Sequence, residues 1–139
     1  KNAETVLVKT LDQLFYNYIK ERRSIKLIKC DAQGQELNII LGSKKIIDQF
    51  KPYLYLENDD IHTSKVLIEM IKNMGYILFW HLPPLYNPDN FLKNTKNIFP
   101  KIVSCNMLCI HRSTKIKLNK IWKKFEITDS NFHPHKKIT

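Results

Sequence analysis

Apolar positions along the chain follow two periods, one suited to strands and one to helices. Ile25–Cys30 (IKLIKC) is apolar and β-branched with two lysines, the pattern of a buried strand. Asp31 ends it, and Ala32-Gln33-Gly34 breaks the chain, with Gly34 supplying backbone freedom. Leu37, Ile40 and Leu41 then recur at helical spacing until Gly42. Strand, acidic residue, turn and short helix together describe the edge at which open α/β sheets bind ligands.

The flanking segments extend this pattern. Thr5–Val8 is a short apolar run, an edge strand or an entry loop. Thr10 opens a helix with Gln13 in capping-box position, and Leu11, Leu14, Phe15, Tyr18 and Ile19 form its apolar stripe. After Gly42, Ser43 is placed to cap a segment with Ile46, Ile47 and Phe50 inward, which Lys51-Pro52 breaks. Tyr53–Leu56 alternates as a strand and runs into Glu57-Asn58-Asp59-Asp60. A helix capped by Thr63 or Ser64 turns Val66, Leu67, Met70, Ile71 and Met74 inward and stops at Gly75. Tyr76–Trp80 is a strand, His81–Pro100 a long irregular loop, and Ile102–Ile110 the last strand. Lys115–Phe125 has the spacing of a final amphipathic helix carrying Ile116, Ile121, Trp122 and Phe125, and Glu126–Thr139 reads as a mobile tail. The class is α/β with a largely parallel sheet, a domain over 1–125 and a tail over 126–139.

Composition changes this picture in three places. The 139 residues suit one domain, with no apolar run of membrane-spanning length and no secretory pattern. The net charge of +10 invites an anionic partner, but the lysines are scattered over every element, which counts against nucleic acid. Cys105 and Cys109 have no matching second pair, so the three cysteines argue against zinc and for buried free thiols in a reducing, cytoplasmic setting. His133 and His135 in the tail carry no evident role. With only Gly34, Gly42 and Gly75, the chain holds no glycine-rich nucleotide loop. That absence, with the lack of an initial Met, leads us to expect further sheet strands upstream.

Several motifs share an order and spacing: T-L-D at Thr10–Asp12, K-x-D-x-x-G-x-E across Lys29–Glu36, L-x-G at Leu41–Gly42 and Y-L-Y-L-E ending at Glu57. The loop W-H-L-P-P-L-Y-N-P-D-N-F and the strand S-x-N-M-L-C-I at Ser104–Ile110 continue the series. The combination resembles the FkbM-type methyltransferases. That resemblance implies a Rossmann-like, mostly parallel sheet whose last two strands are an antiparallel pair, with its N-terminal strands missing here. It also implies methyl transfer from S-adenosylmethionine to a hydroxyl of a sugar or related metabolite, as in polysaccharide biosynthesis. The family's motifs for that cofactor would lie upstream, and no cofactor-binding residue is assigned.

Candidate chemistry falls at strand ends. Asp31 is the first candidate, as a base or substrate-orienting group; its structural alternative is a carboxylate satisfied by turn amides. Glu57 is the second, with Asn58 beside it; Asp31, Glu57 and Asn58 would also be the oxygen set for Mg²⁺ if a metal were used. Glu36 suits the first turn of a helix. His81 is the third catalytic candidate. Tyr86, Asn87, Asp89 and Asn90 in the long loop are candidates for binding sugar hydroxyls, with Trp80, Tyr86 or Phe91 as a stacking face, while Asn106 ties that loop down. The alternatives to an O-methyltransferase are a basic module for an anionic polymer and a degenerate methyltransferase-like domain.

Overall fold

The computed structural model describes residues 3–16 and 24–137. Four strands, β1 (Leu27–Cys30), β2 (Tyr53–Glu57), β3 (Tyr76–His81) and β4 (Asn106–His111), form one sheet in the order β1-β2-β4-β3. β1 and β2 are parallel, whereas β4 inserts between β2 and β3 and is antiparallel to both. The expected antiparallel last pair is therefore present. Among the described residues, however, the sheet is mixed rather than largely parallel, because the chain returns from β3 through a hairpin-like connection.

The helices are α1 (Leu11–Leu14), α2 (Glu36–Leu41), α3 (Lys44–Phe50) and α4 (Ile61–Asn73). Alternation along the strands turns Ile28, Cys30, Leu54, Leu56, Leu78, Met107 and Cys109 to one face. There they share a core with Phe15, Ile40, Ile46, Ile47, Leu67, Ile68 and Ile71. The other face carries Leu27, Lys29, Tyr55, Glu57 and His81. Over β1 it lies open, with Leu27 57% exposed. Over β3 it is covered by Trp122, which meets Phe79 edge-on at 5.9 Å.

Capping explains several element ends. Thr10 and Gln13 form the reciprocal capping box at α1, as their spacing implies. The T-L-D aspartate does more than occupy that helix. Asp12 accepts from the backbone N–H groups of Lys45 and Ile46 at 3.1 and 3.0 Å, so it, rather than Ser43, caps α3. Ser43 instead donates to the Ile39 carbonyl. At α4 the cap is Asp60, which accepts from the His62 N–H, three residues ahead of the expected Thr63. The inward face of α4 is accordingly Ser64, Leu67, Ile68 and Ile71, and Val66 points to solvent. Gly75 ends the helix with φ +87°, and a Cβ there would meet His111 at 2.9 Å.

Two expectations about the C-terminal third fail. Lys115–Phe125 is not an amphipathic helix; only Trp122–Phe125 forms a 3₁₀ turn, and Ile121 stays 60% exposed. Its five lysines have no carboxylate four residues away to pair with, so local helix support is weak and contact with Phe79 decides the path. The segment after it is not loose. Glu126 bridges Phe79, Ile127 donates its N–H to the Leu78 carbonyl at 2.8 Å, and Ile127 and His133 are buried. Thr5–Val8 forms no strand and is largely exposed. The expected inward residues Tyr18 and Ile19 lie outside the described residues. No helix among the described residues is long and apolar enough to cross a membrane.

Asp12→Ala should lower the urea midpoint by the equivalent of about 1 kcal/mol, with the denaturant slope unchanged, because α3 loses its N-terminal acceptor.

Candidate functional site

The site is built at the carboxyl ends of β1 and β2. Their register pairs Cys30 with Leu56, so the next residues, Asp31 and Glu57, stand side by side about 4.8 Å apart across the sheet. Both follow inward-facing residues and therefore belong to the open face, together with Lys29 and Tyr55. The turn after Asp31 is tight, with Gln33 and Gly34 both left-handed at φ +51° and +89°. Nothing lies within 4 Å of a Cβ built on Gly34, so the turn's conformation alone calls for glycine there.

Glu36 holds this turn from beneath. It is only 7% exposed and accepts the Ala32 N–H at 2.8 Å. The turn amide expected to satisfy Asp31 thus goes to Glu36, and Asp31 turns to Lys29, its ion-pair partner at 2.9 Å. Gln33 reaches Glu57 Oε2 at 3.4 Å. A hollow of 420 Å³ results, lined by Gln33, Gly34, Glu36, Glu57, Asp59 and Asp60. A larger cavity of 580 Å³ between α3 and α4 lies at the amino ends of the parallel strands, away from these groups.

The two neighbouring carboxylates are pushed in opposite directions. The Lys29 ammonium, hydrogen-bonded to Asp31, holds that carboxyl below its ordinary range. Burial raises Glu57 above its ordinary range, and the negative charges of Asp31, Asp59 and Glu36 raise it further. Side-by-side acids split in this way divide protonation roles between them.

His81 ends β3 opposite Asn106, on the same open face, with β4 between it and Glu57. Its Nδ1 lies 2.8 Å from the Tyr55 hydroxyl, which spans that gap. The sheet therefore brings Asp31, Glu57 and His81 to one face and one edge. Asn58 is not part of this group. Its side chain is buried, and its amide donates to Ser64 Oγ at 3.0 Å and contacts Met107 Sδ at 3.2 Å. That removes Asn58 both from substrate contact in the hollow and from the oxygen set with Asp31 and Glu57.

The long loop is tied at its base by a Pro84–Val103 bridge and by the Ser104 N–H donating to the Pro83 carbonyl. Asn106 is buried and donates to Ser104 Oγ at 2.9 Å, in keeping with a role in fixing the loop. The polar loop residues serve the loop itself. Asn87 accepts the Asp89 N–H, Asn90 donates to the Asn87 and Asn94 carbonyls, and Tyr86 donates to the Asn94 carbonyl. Asp89 pairs with Lys93 at 2.6 Å. In this arrangement none of the four lines the acidic hollow, and of the three catalytic candidates Glu57 does while Asp31 and His81 do not. Trp80 is buried with its ring edge-on to His133 at 5.4 Å, so it offers no free stacking face; Phe91 is 96% exposed.

Sequence reading missed Lys29, Tyr55 and Gln33. Lys29 and Tyr55 sit two residues before Asp31 and Glu57, so strand alternation alone was signal enough. The family model of the methyltransferase FkbM domain matches residues 1–78, a span that includes β1, β2, α4 and the first half of β3. The loop and β4 motifs lie beyond it. Neither the curated proteins nor the solved structures compared with the chain give a match.

Glu36→Ala should cost about 1–3 kcal/mol in urea unfolding, because the Ala32 N–H loses its acceptor; Glu36→Gln, which keeps an acceptor oxygen, should recover part of that loss.

Proposed function

The chain belongs to the methyltransferase FkbM family, and from that premise we propose that its acidic hollow serves transfer of a methyl group from S-adenosylmethionine to a hydroxyl of a sugar or related molecule. The observation that carries this reading is the pair Asp31 and Glu57, adjacent at a parallel strand edge and driven to different protonation behaviour. The donor is cationic at sulfur, and a hollow lined by Glu36, Glu57, Asp59 and Asp60 fits a positive charge. When bound, the donor supplies an electrophilic methyl carbon, which the acceptor oxygen takes as the carbon–sulfur bond breaks toward sulfur.

The chain's own residues then have separate tasks. Glu57 receives the proton that the acceptor hydroxyl gives up, ending as the neutral acid; its raised proton affinity suits that role. Asp31 stays ionised against Lys29 and orients the acceptor hydroxyl. Tyr55 holds His81 toward the same face through the contact at Nδ1, which leaves Nε2 for a hydrogen bond with the substrate. Positioning alone can account for roughly 7–11 kcal/mol of barrier lowering, and a general base for about 10²–10⁴-fold in rate.

Two variants test the assignment in an assay of labelled methyl transfer. Glu57→Gln should lower kcat about 10²-fold or more and abolish the acidic limb of the kcat/KM profile. In the unsubstituted protein that limb should lie above the ordinary glutamate value of about 4.3. Asp31→Asn removes a negative neighbour, so it should move the limb to lower pH while donor affinity changes little. Rates and profiles untouched by both substitutions would end this reading.

A further inference from the structure

A second cluster lies on the core side of the same strand ends and takes no part in the proposed transfer. Cys105, just before β4, is fully buried, and its Sγ is 3.1 Å from His135 Nε2. His133 is 1% exposed, and one ligand-type atom from each of Cys105, His133 and His135 lies within 4.8 Å of the others. It is the one such group of three among the described residues.

The surroundings orient these groups as ligands. His133 Nε2 lies 2.7 Å from the Asn58 carbonyl oxygen. A carbonyl only accepts, so Nε2 carries the hydrogen and the ring's lone pair is at Nδ1, where it takes the His135 N–H at 3.1 Å. A carbonyl that fixes the ring's tautomer from behind is the usual support for a metal-binding histidine. Cys105 is held on both sides of its Cα. Its N–H donates to Asp59 Oδ1 at 2.8 Å, and its carbonyl accepts the Asn58 N–H at 2.7 Å. Pro134 between the two histidines restricts the backbone that spaces them. Burial, with Asp59 nearby, pushes the Cys105 thiol up to about 12, so as a free thiol it is a poor nucleophile.

We propose that Cys105 Sγ, His133 Nδ1 and His135 Nε2 bind one Zn²⁺ ion, which clamps the C-terminal segment across the end of β2 and the start of β4. One thiolate with two imidazoles is a borderline-soft set that suits zinc, and three protein ligands leave the fourth tetrahedral position to water or an exogenous ligand. Binding displaces the thiol proton to solvent: Zn²⁺ plus the Cys105 S–H gives the zinc thiolate and one H⁺. The His135 N–H gives up its contact with His133 Nδ1 as the ion takes that lone pair. No ligand of this ion comes from the carboxylate hollow; Asp59, which lines the hollow, reaches the site through the Cys105 N–H.

Titration of the tag-free, chelator-treated protein with Co²⁺ tests the site. One equivalent should produce a thiolate-to-cobalt charge-transfer band and the intense visible bands of four-coordinate cobalt, both lost on adding Zn²⁺, with one proton released per ion. Hydrogen exchange over residues 126–137 should slow on Zn²⁺ addition. His135 is only half-buried, so His135→Ala should retain native circular dichroism while weakening Co²⁺ binding about 100-fold or more; Cys105→Ser should abolish the charge-transfer band. No charge-transfer band at saturation, or binding of undiminished strength in His135→Ala, would overturn the proposal whether or not Cys105→Ser folds.

Discussion

The register of β1 against β2 is the constraint on which both core and site depend. Side chains alternate with a period of two, so a slip of one residue would turn Leu54 and Leu56 out and carry Tyr55 and Glu57 beneath the helices. Burying the Glu57 carboxylate there, away from Gln33, would add a desolvation cost to the lost apolar burial. The same slip would separate Asp31 from Glu57. One pairing thus decides which residues form the core and which two acids meet at the edge. The insertion of β4 reinforces it, because Leu54, Leu56 and Glu57 each have a β4 partner on their other side.

Electrostatics at the edge follow from this placement. Lys29 is on β1, two residues before Asp31, so the strand's own geometry delivers the cation to Asp31 as its ion-pair partner. Glu57 meets the Gln33 amide and a group of negative neighbours, Asp31 the first of them. Gln33 is in reach because the turn passes through a left-handed residue, and Glu36 stabilises that turn by taking the Ala32 N–H. The K-x-D-x-x-G-x-E series is therefore one device: the lysine neutralises, the aspartate stays charged, the glycine permits the turn and the glutamate secures it.

Local signals carried the first half of the chain. The strands at Leu27–Cys30, Tyr53–Glu57 and Tyr76–His81, the capping box at Thr10 and the stop at Gly75 are all readable, because period, caps and turn residues agree there. What was hidden depends on contacts distant in sequence. Asp12 caps a helix more than thirty residues away, a role no local pattern encodes. The Cys105–His135 contact spans thirty residues, and a cysteine without a paired partner concealed it. Lys115–Phe125 misled because its apolar spacing imitates a helix, whereas its path is decided by Trp122 against Phe79. The loop asparagines misled differently, since the side chains that would bind a sugar hydroxyl equally well close turns.

Charge distribution separates the functional readings more sharply than net charge does. The chain carries +10 overall, a sum that on its own favours polyanions. The hollow at the strand ends has the opposite sign, with four carboxylates among its six lining residues. A nucleic acid or other polyanion directed to that hollow would meet like charge, and such contact costs binding energy instead of adding to it. A sulfonium donor meets the reverse. On the proposed reading its charge would be balanced by the pocket before transfer and lost as the methyl group leaves, so acids that bound it too tightly would stabilise the reactant over the transition state. Asp31, already paired with Lys29, is not among the residues lining that hollow, so its charge adds little to the excess. An acidic hollow on a sheet edge whose register is secured by its own core is, on that reading, an arrangement suited to a cationic donor.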